Sequence, residues 1–225
     1  AHYVHGVDGM GDIGLPLSGR EPAAGHAVDV IIDLARANPG EITLVTLGPL
    51  TNLALALRRA PDIAGLFDRV VMMAGTGEHS GNVSPAAEFN VYVDPDAADI
   101  VFTSGLPLEM VGWDVSRKNA ALALVGPLGE FCSSIQRQLI EFCRTVTKID
   151  GYDLPDPVTT AIAIDPTIAT RWLDAYVRVE TTGTHTLGMT VVDHLGILKK
   201  PANTKVVVSA DRDRFHAMLT EACSH

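Results

Sequence analysis

A chain of 225 residues with 47% hydrophobic content can bury a substantial core, and it reads as a single domain over residues 1–225 or as part of a slightly larger one. The formal charge of −10 would repel a phosphate backbone, and Arg58-Arg59 and Lys199-Lys200 are too small to reverse that, which argues against a nucleic-acid partner. No run reaches the roughly 18 consecutive apolar residues of a spanning helix, and the start lacks the basic-then-apolar order of a signal peptide, which argues against a membrane partner.

In chain order, the first feature is a glycine-rich stretch through Gly6, Gly9, Gly11, Gly14 and Gly19, an odd opening that suggests a processed chain or a fragment. Glu41 to Leu47 is predicted as a short buried strand ending at Gly48-Pro49, after which Thr51-Asn52 opens a helix to Ala60-Pro61. Arg69 to Ala74 is a second strand, followed by a polar loop from Gly75 through Asn90. Asp94-Pro95-Asp96 combines an N-cap residue, proline at the first helical position and an acidic first turn, predicting a helix to Thr103. Leu108 to Gly112 is the third strand. Residues from about Ala120 to Lys148 read as helical, as does Asp156 to Ala169 with proline just inside its start. Tyr176 to Thr182, Met189 to Val192 and Lys205 to Ser209 are predicted strands, and Asp211 caps a last helix through Ala222. Strands alternating with helices at this spacing imply right-handed crossovers and an α/β class with a parallel sheet covered by helices. The three cysteines, Cys132, Cys143 and Cys223, stand in no metal-binding spacing and fit reduced thiols in a cytoplasm.

Ligands of open α/β sheets bind beyond the carboxyl ends of the strands, which directs attention to the loops after Leu47, Ala74 and Gly112. The second is the richest, because Gly81-Asn82 and Ala87-Glu88-Phe89-Asn90 put two carboxamides and a carboxylate close together. Such groups both donate to and accept from vicinal hydroxyls, as a sugar requires. Read alone, the same Asn and Glu residues serve equally as caps for the following helix. Asp156 before Pro157 reads by itself as an N-cap, His5 beside Gly6 as a loop-packing residue, and Trp113 and Trp172 as core residues more readily than as platforms for a purine.

Taken together, several ordered motifs resemble one family. Val71-Met72-Met73-Ala74-Gly75, Gly81-Asn82, Ala87-Glu88-Phe89-Asn90 and Val93-Asp94-Pro95-Asp96-Ala97-Ala98 resemble the central signature of the inosine-uridine preferring nucleoside hydrolases. His5-Gly6-Val7-Asp8-Gly9 and Leu47-Gly48-Pro49-Leu50-Thr51-Asn52 upstream, and Asp156-Pro157 and Gly188-Met189-Thr190-Val191-Val192-Asp193 downstream, fall in the family's order. The resemblance implies a mostly parallel open sheet flanked by helices and calcium-dependent hydrolysis of the N-glycosidic bond of ribonucleosides. The products would be free base and ribose, released through an oxocarbenium-like transition state. It implies that Asn82, Glu88 and Asn90 hold the ribose hydroxyls, that Met73 lies close to the sugar, and that His5 contacts the base. It also implies Ca2+ bound by the backbone carbonyl of Leu47 and the carboxylate of Asp156, and a homodimer or homotetramer acting in nucleoside salvage.

Three departures qualify this. The family's aspartate-rich opening loop, source of most calcium ligands and of the water-activating carboxylate, has no counterpart here, since Asp8 and Asp12 match a later stretch; the first strand and that loop are expected upstream of Ala1. Pro155 stands where many members carry a histidine that protonates the leaving base, and Leu187 where an arginine is common. The alternatives are therefore a degenerate or truncated ribose- or nucleoside-binding protein of the same fold, or a structural oligomerisation subunit.

Overall fold

In a computed structural model that describes residues 2–16, 18–78, 80–118, 126–148 and 153–224, the chain begins with a short helix α1 (His2–His5) and a longer one, α2 (Ala27–Ala37). The central elements follow as β1 (Ile42–Thr46), α3 (Thr51–Arg59), β2 (Phe67–Met73), α4 (Phe89–Val93), α5 (Pro95–Phe102), β3 (Leu108–Val111) and α6 (Trp113–Lys118). Then come α7 (Pro127–Ile135), α8 (Arg137–Phe142), α9 (Pro155–Ile164), β4 (Ala169–Ala175), β5 (Val177–Val179), β6 (Thr190–Val192), β7 (Thr204–Ala210) and α10 (Arg212–Cys223). These fall into two compact units, one of Gly25–Ser116 with Pro155–Asp211, the other of Ala1–Ala24, Arg117–Leu154 and Arg212–His225.

The first of these units is built on a five-stranded sheet of order β1-β2-β3-β7-β4. β1, β2, β3 and β7 run parallel, and β4 closes one edge antiparallel to β7. The α/β class with a mostly parallel sheet is thus realised. Val70, Val71 and Met72 of β2 and Met110 of β3 are fully buried, which is why the end of β2 reads as a continuous apolar run. Helices α3 and α5 pack together and bury Leu53, Ala54, Leu57, Ala98, Val101 and Phe102. Each large side chain among them contributes roughly 1.5–3 kcal/mol. The two-stranded ribbon of β5 and β6 is tied to α5 through Arg178, whose Nε donates to Asp99 Oδ1 at 2.7 Å and whose Nη2 donates to Oδ2 at 2.8 Å.

The other unit holds α1, α7, α8 and α10, with α1 packed on α8 and α7 on α10. Its glycine-rich loop is pinned by its own acids. Val7 and Asp8 amides donate to Asp12, and Met10 and Asp12 amides donate to Asp8 Oδ1.

Several boundaries differ from the sequence expectation. The helix expected from Ala120 to Lys148 is broken: residues 119–125 lie outside the described set, Gly126 at φ 89° precedes α7, and α8 runs into a π turn at Cys143–Thr147. The helix expected to reach Ala169 stops at Ile164, because Pro166 cannot continue it, and Pro166–Ile168 form a 3-10 turn capped by Asp165. The strand expected over Tyr176 to Thr182 is the short β5, while β4 just before it belongs to the main sheet. Among the described residues no helix is long and apolar enough to cross a membrane.

Candidate active site

At the carboxyl end of β2 the backbone turns at Gly75, φ 64°, a left-handed conformation that favours glycine. From there the chain folds back so that Glu88 returns to the strand end. Its Oε2 accepts from the Gly75 amide at 2.9 Å and from Val91 at 3.4 Å, and its Oε1 accepts from Asn90 at 2.8 Å. Glu88 is therefore the N-cap of α4 as well as the staple of the loop, and it is only 2% exposed. The capping role anticipated for these residues is real for Glu88.

Asn90, also buried, donates from Nδ2 to the Met73 carbonyl at 3.0 Å and to Met73 Sδ at 3.1 Å. Asn82 is exposed and accepts the Phe89 amide on Oδ1 at 2.9 Å. The structure thus brings Met73, Asn82, Glu88 and Asn90 together. Asn82 Nδ2 and Asn90 Oδ1 carry no hydrogen bond among the described residues, so one donor and one acceptor remain for a ligand. The loop is held by a tight convergence, with the amides of Asn82, Val83 and Ser84 all directed to the Ala87 carbonyl at 3.1–3.4 Å. A side chain at Gly81 would collide with that same carbonyl. Gly81→Ala is expected to destabilise the protein by about 1–3 kcal/mol, read as a lower urea midpoint; an unchanged midpoint would show that the loop rearranges freely.

Electrostatically, burial pushes the Glu88 carboxyl up to about 7, against the pull of the Asn90, Gly75 and Val91 amides, with repulsion from Asp156 adding to the rise. Asp156 is therefore an electrostatic neighbour of Glu88. It lies inside the first turn of α9, because Pro155 is already helical, and so it is not the N-cap expected from sequence. Its side chain reaches solvent, yet the surrounding protein desolvates the carboxyl enough to push it up to about 6. The Asp156 carboxylate makes no hydrogen bond or ion pair among the described residues, its backbone carbonyl alone accepting the Thr160 hydroxyl at 2.8 Å.

Leu47 follows β1 and is 40% exposed. Beside it, Thr46 Oγ1 is buried without a hydrogen-bond partner. Asp156, the Leu47 carbonyl and Thr46 are all oxygen donors, the kind a hard cation takes, but they fall short of the six to eight that calcium needs. Among the described residues no group of three His, Cys, Asp or Glu side chains is poised to hold a metal ion. The donors therefore fit calcium in kind and would supply only part of a shell.

His5 ends α1 in the helical unit, where burial lowers its pKa even though the side chain reaches solvent. It is not among the residues gathered in the sheet unit. Trp113 is buried, and Trp172 lies in β4 opposite Val207. Two residues given no role by sequence reasoning brace the loop. Asp114, 1% exposed, accepts the Gly77 amide at 2.8 Å and the Glu78 amide at 3.3 Å. Thr190 binds Thr76. The signal for Asp114 was its place just after Gly112, at the carboxyl end of β3.

A family model described as inosine-uridine preferring nucleoside hydrolase matches residues 1–217. The chain belongs to that family. It is similar to the pyrimidine-specific ribonucleoside hydrolase RihA of Photobacterium profundum, 36% identical over 98% of this chain and 74% of that protein. Among solved structures it resembles a purine-preferring ribonucleoside hydrolase from Gardnerella vaginalis, with a TM-score of 0.90 and 33% identity over 99% of this chain and 73% of the other. It also resembles a plant nucleoside hydrolase, PpNRh1, with a TM-score of 0.89 and 33% identity over 100% of this chain and 74% of the other. The chain is a nucleoside hydrolase, and its Asn/Glu loop lies at the carboxyl ends of a parallel sheet, where α/β enzymes bind their ligands.

Proposed function

We propose that this nucleoside hydrolase splits ribonucleosides into free base and ribose with Ca2+ bound, and that Asn82, Glu88 and Asn90 grip the sugar. The observation that carries the reading is the convergence of Glu88, Asn90 and Met73 at the end of β2, with hydrogen-bonding capacity on Asn82 and Asn90 left unused by the protein. In the transition state the sugar ring gains positive charge, by analogy with O-glycosidases. The Glu88 carboxylate, held rigidly by backbone amides, favours that charge and accepts from a hydroxyl, while Asn82 Nδ2 donates and Asn90 Oδ1 accepts. Met73, 2% exposed, supplies an apolar wall near the sugar.

Calcium, held in part by the Asp156 carboxylate and the Leu47 carbonyl, would lower the pKa of a bound water and fix hydroxyls of the substrate. The carboxylate that takes the proton from water is not assigned to any described residue. Pro155 has no proton to transfer, so departure of the base depends on another group, with His5 as the candidate for base contact. The same reading makes the protein a cytoplasmic homodimer or homotetramer, measurable by light scattering. Its support on compartment is that Cys132, Cys143 and Cys223 form no disulfide with one another.

Pro155 also favours a second reading, a nucleoside-binding protein without turnover. Incubation with inosine and with uridine, followed by a reducing-sugar assay and by calorimetric titration with ribose, separates the two. The proposal expects ribose release that a calcium chelator abolishes. Saturable ribose binding without release would support the second reading, and release undiminished by chelator would sink the calcium assignment.

A further inference from the structure

The geometry points to Thr190 as the positioning residue that sets the Gly75 turn and, through the Gly75 amide, the Glu88 carboxylate for the sugar. This inference rests on the reading that Glu88 holds the ribose.

Thr190 opens β6, far along the chain from the loop it serves, and is 4% exposed. Its hydroxyl spends both capacities on one residue, accepting from the Thr76 amide at 2.9 Å and donating to the Thr76 carbonyl at 2.8 Å. Its side chain also packs directly on Gly75: a Cβ there would lie 2.7 Å from Thr190 Oγ1 and would overlap its methyl group. A glycine at positive φ is the most freely moving residue type, so a turn made at Gly75 needs an external restraint. Fixing the next residue at both its N–H and its C=O, with a methyl against the glycine Cα, provides one. The Gly75 amide is thereby aimed at Glu88 Oε2, 2.9 Å away. Asp114 restrains Gly77 and Glu78 further along, past the amide that Glu88 uses.

The variants Thr190→Val, which keeps the shape and loses the hydroxyl, and Thr190→Ser, which keeps the hydroxyl, are compared with Glu88→Ala and with the double variant T190V/E88A. Ribose Kd by calorimetry, KM and kcat are measured alongside the thermal midpoint. T190V is expected to weaken ribose binding and raise KM about tenfold or more, the scale of a buried hydrogen-bonding group left unpaired. T190S is expected to stay within about threefold of the parent on the same scale, and T190V is expected to add nothing in the E88A background. Parent-like ribose affinity in T190V, equal losses in T190S and T190V, or a T190V effect undiminished by E88A would each overturn the inference. Loss in E88A with none in T190V overturns the inference alone, whereas parent-like affinity in E88A overturns the sugar reading along with it. If T190V does not fold, Thr190→Cys replaces it, with the same ordering below T190S expected and its absence counting against the inference.

Discussion

Asp156→Asn is expected to lower kcat/KM for nucleoside hydrolysis by about a hundredfold or more, since a metal that generates the nucleophile and polarises the substrate supplies several kcal/mol of the barrier reduction. The substitution keeps the volume and one oxygen while removing the charge. In the parent protein that charge is desolvated and meets no cation among the described residues, which is an unfavourable state for a carboxylate unless a ligand neutralises it. Calcium affinity by calorimetry should fall together with turnover, while the sheet, which Asp156 only borders, should keep its thermal midpoint. Parent-level turnover by the variant in chelator-treated buffer would remove Asp156 from the metal site.

Glu88→Gln is the second large effect, and it acts on activity and stability together. Both oxygens of Glu88 accept backbone amides, so a carboxamide must turn its NH2 toward at least one N–H. Leaving such a buried donor unsatisfied costs about 1–3 kcal/mol. Loss of the charge beside the forming cation is expected to lower kcat by about 10²–10³, the scale of removing a preorganised electrostatic contact. The pH dependence separates these effects. In the unfolded chain the carboxyl ionises near 4.5, whereas in the folded protein burial raises it to about 7. Across that window the folded state binds the extra proton, so this group's contribution to stability falls as pH rises from about 4.5 to about 7, by about 3 kcal/mol in all. Measured in chelator, the parent should lose stability over that range and the glutamine variant should not. The stability gap between them therefore closes toward pH 8. Activity runs the other way, rising as the carboxylate forms. A parent stability profile as flat as that of Glu88→Gln would show that Glu88 ionises normally in the fold.

What could be read from sequence tracks where a residue's partners lie. Strand β2 was legible because its buried end, Val70 to Met73, is a continuous apolar run, β1 and β3 because their apolar and β-branched residues stop at Gly48-Pro49 and Gly112, and α5 because Asp94 caps it on Ala97 with Pro95 at its first position. Helix α2 was missed because its cap is unusual: His26 accepts the Val28 amide on Nδ1, where Ser, Thr, Asp or Asn is the usual signal. Helix α4 is five residues long and carries β-branched Val91 and Val93, so local propensity hides it even though Glu88 caps it on the Asn90 and Val91 amides. Strand β4 is an edge, with Thr170, Arg171 and Asp174 exposed, so no clean alternation marks it. Thr51 looked like a helix cap, but its hydroxyl donates to Asp94 Oδ2, joining two motifs that the sequence keeps apart.

The site was legible as a set of residue types and opaque as an arrangement. Asn82, Glu88 and Asn90 stood out by chemistry and by position after a strand. That Glu88 faces inward onto three amides, and that Thr190 and Asp114 hold the same turn, depends on partners 114 and 37 positions away, which no local pattern records.

The Glu88 staple also makes the loop its own reporter. One carboxylate receives the amides at both ends of the segment, Gly75 at its start and Asn90 and Val91 at its close, so any hydroxyl that draws on that carboxylate perturbs all of them at once. In an amide-resolved NMR titration those nitrogens, none of which needs to touch the nucleoside, should shift in concert along a single saturation curve, turning the backbone into a built-in gauge of occupancy.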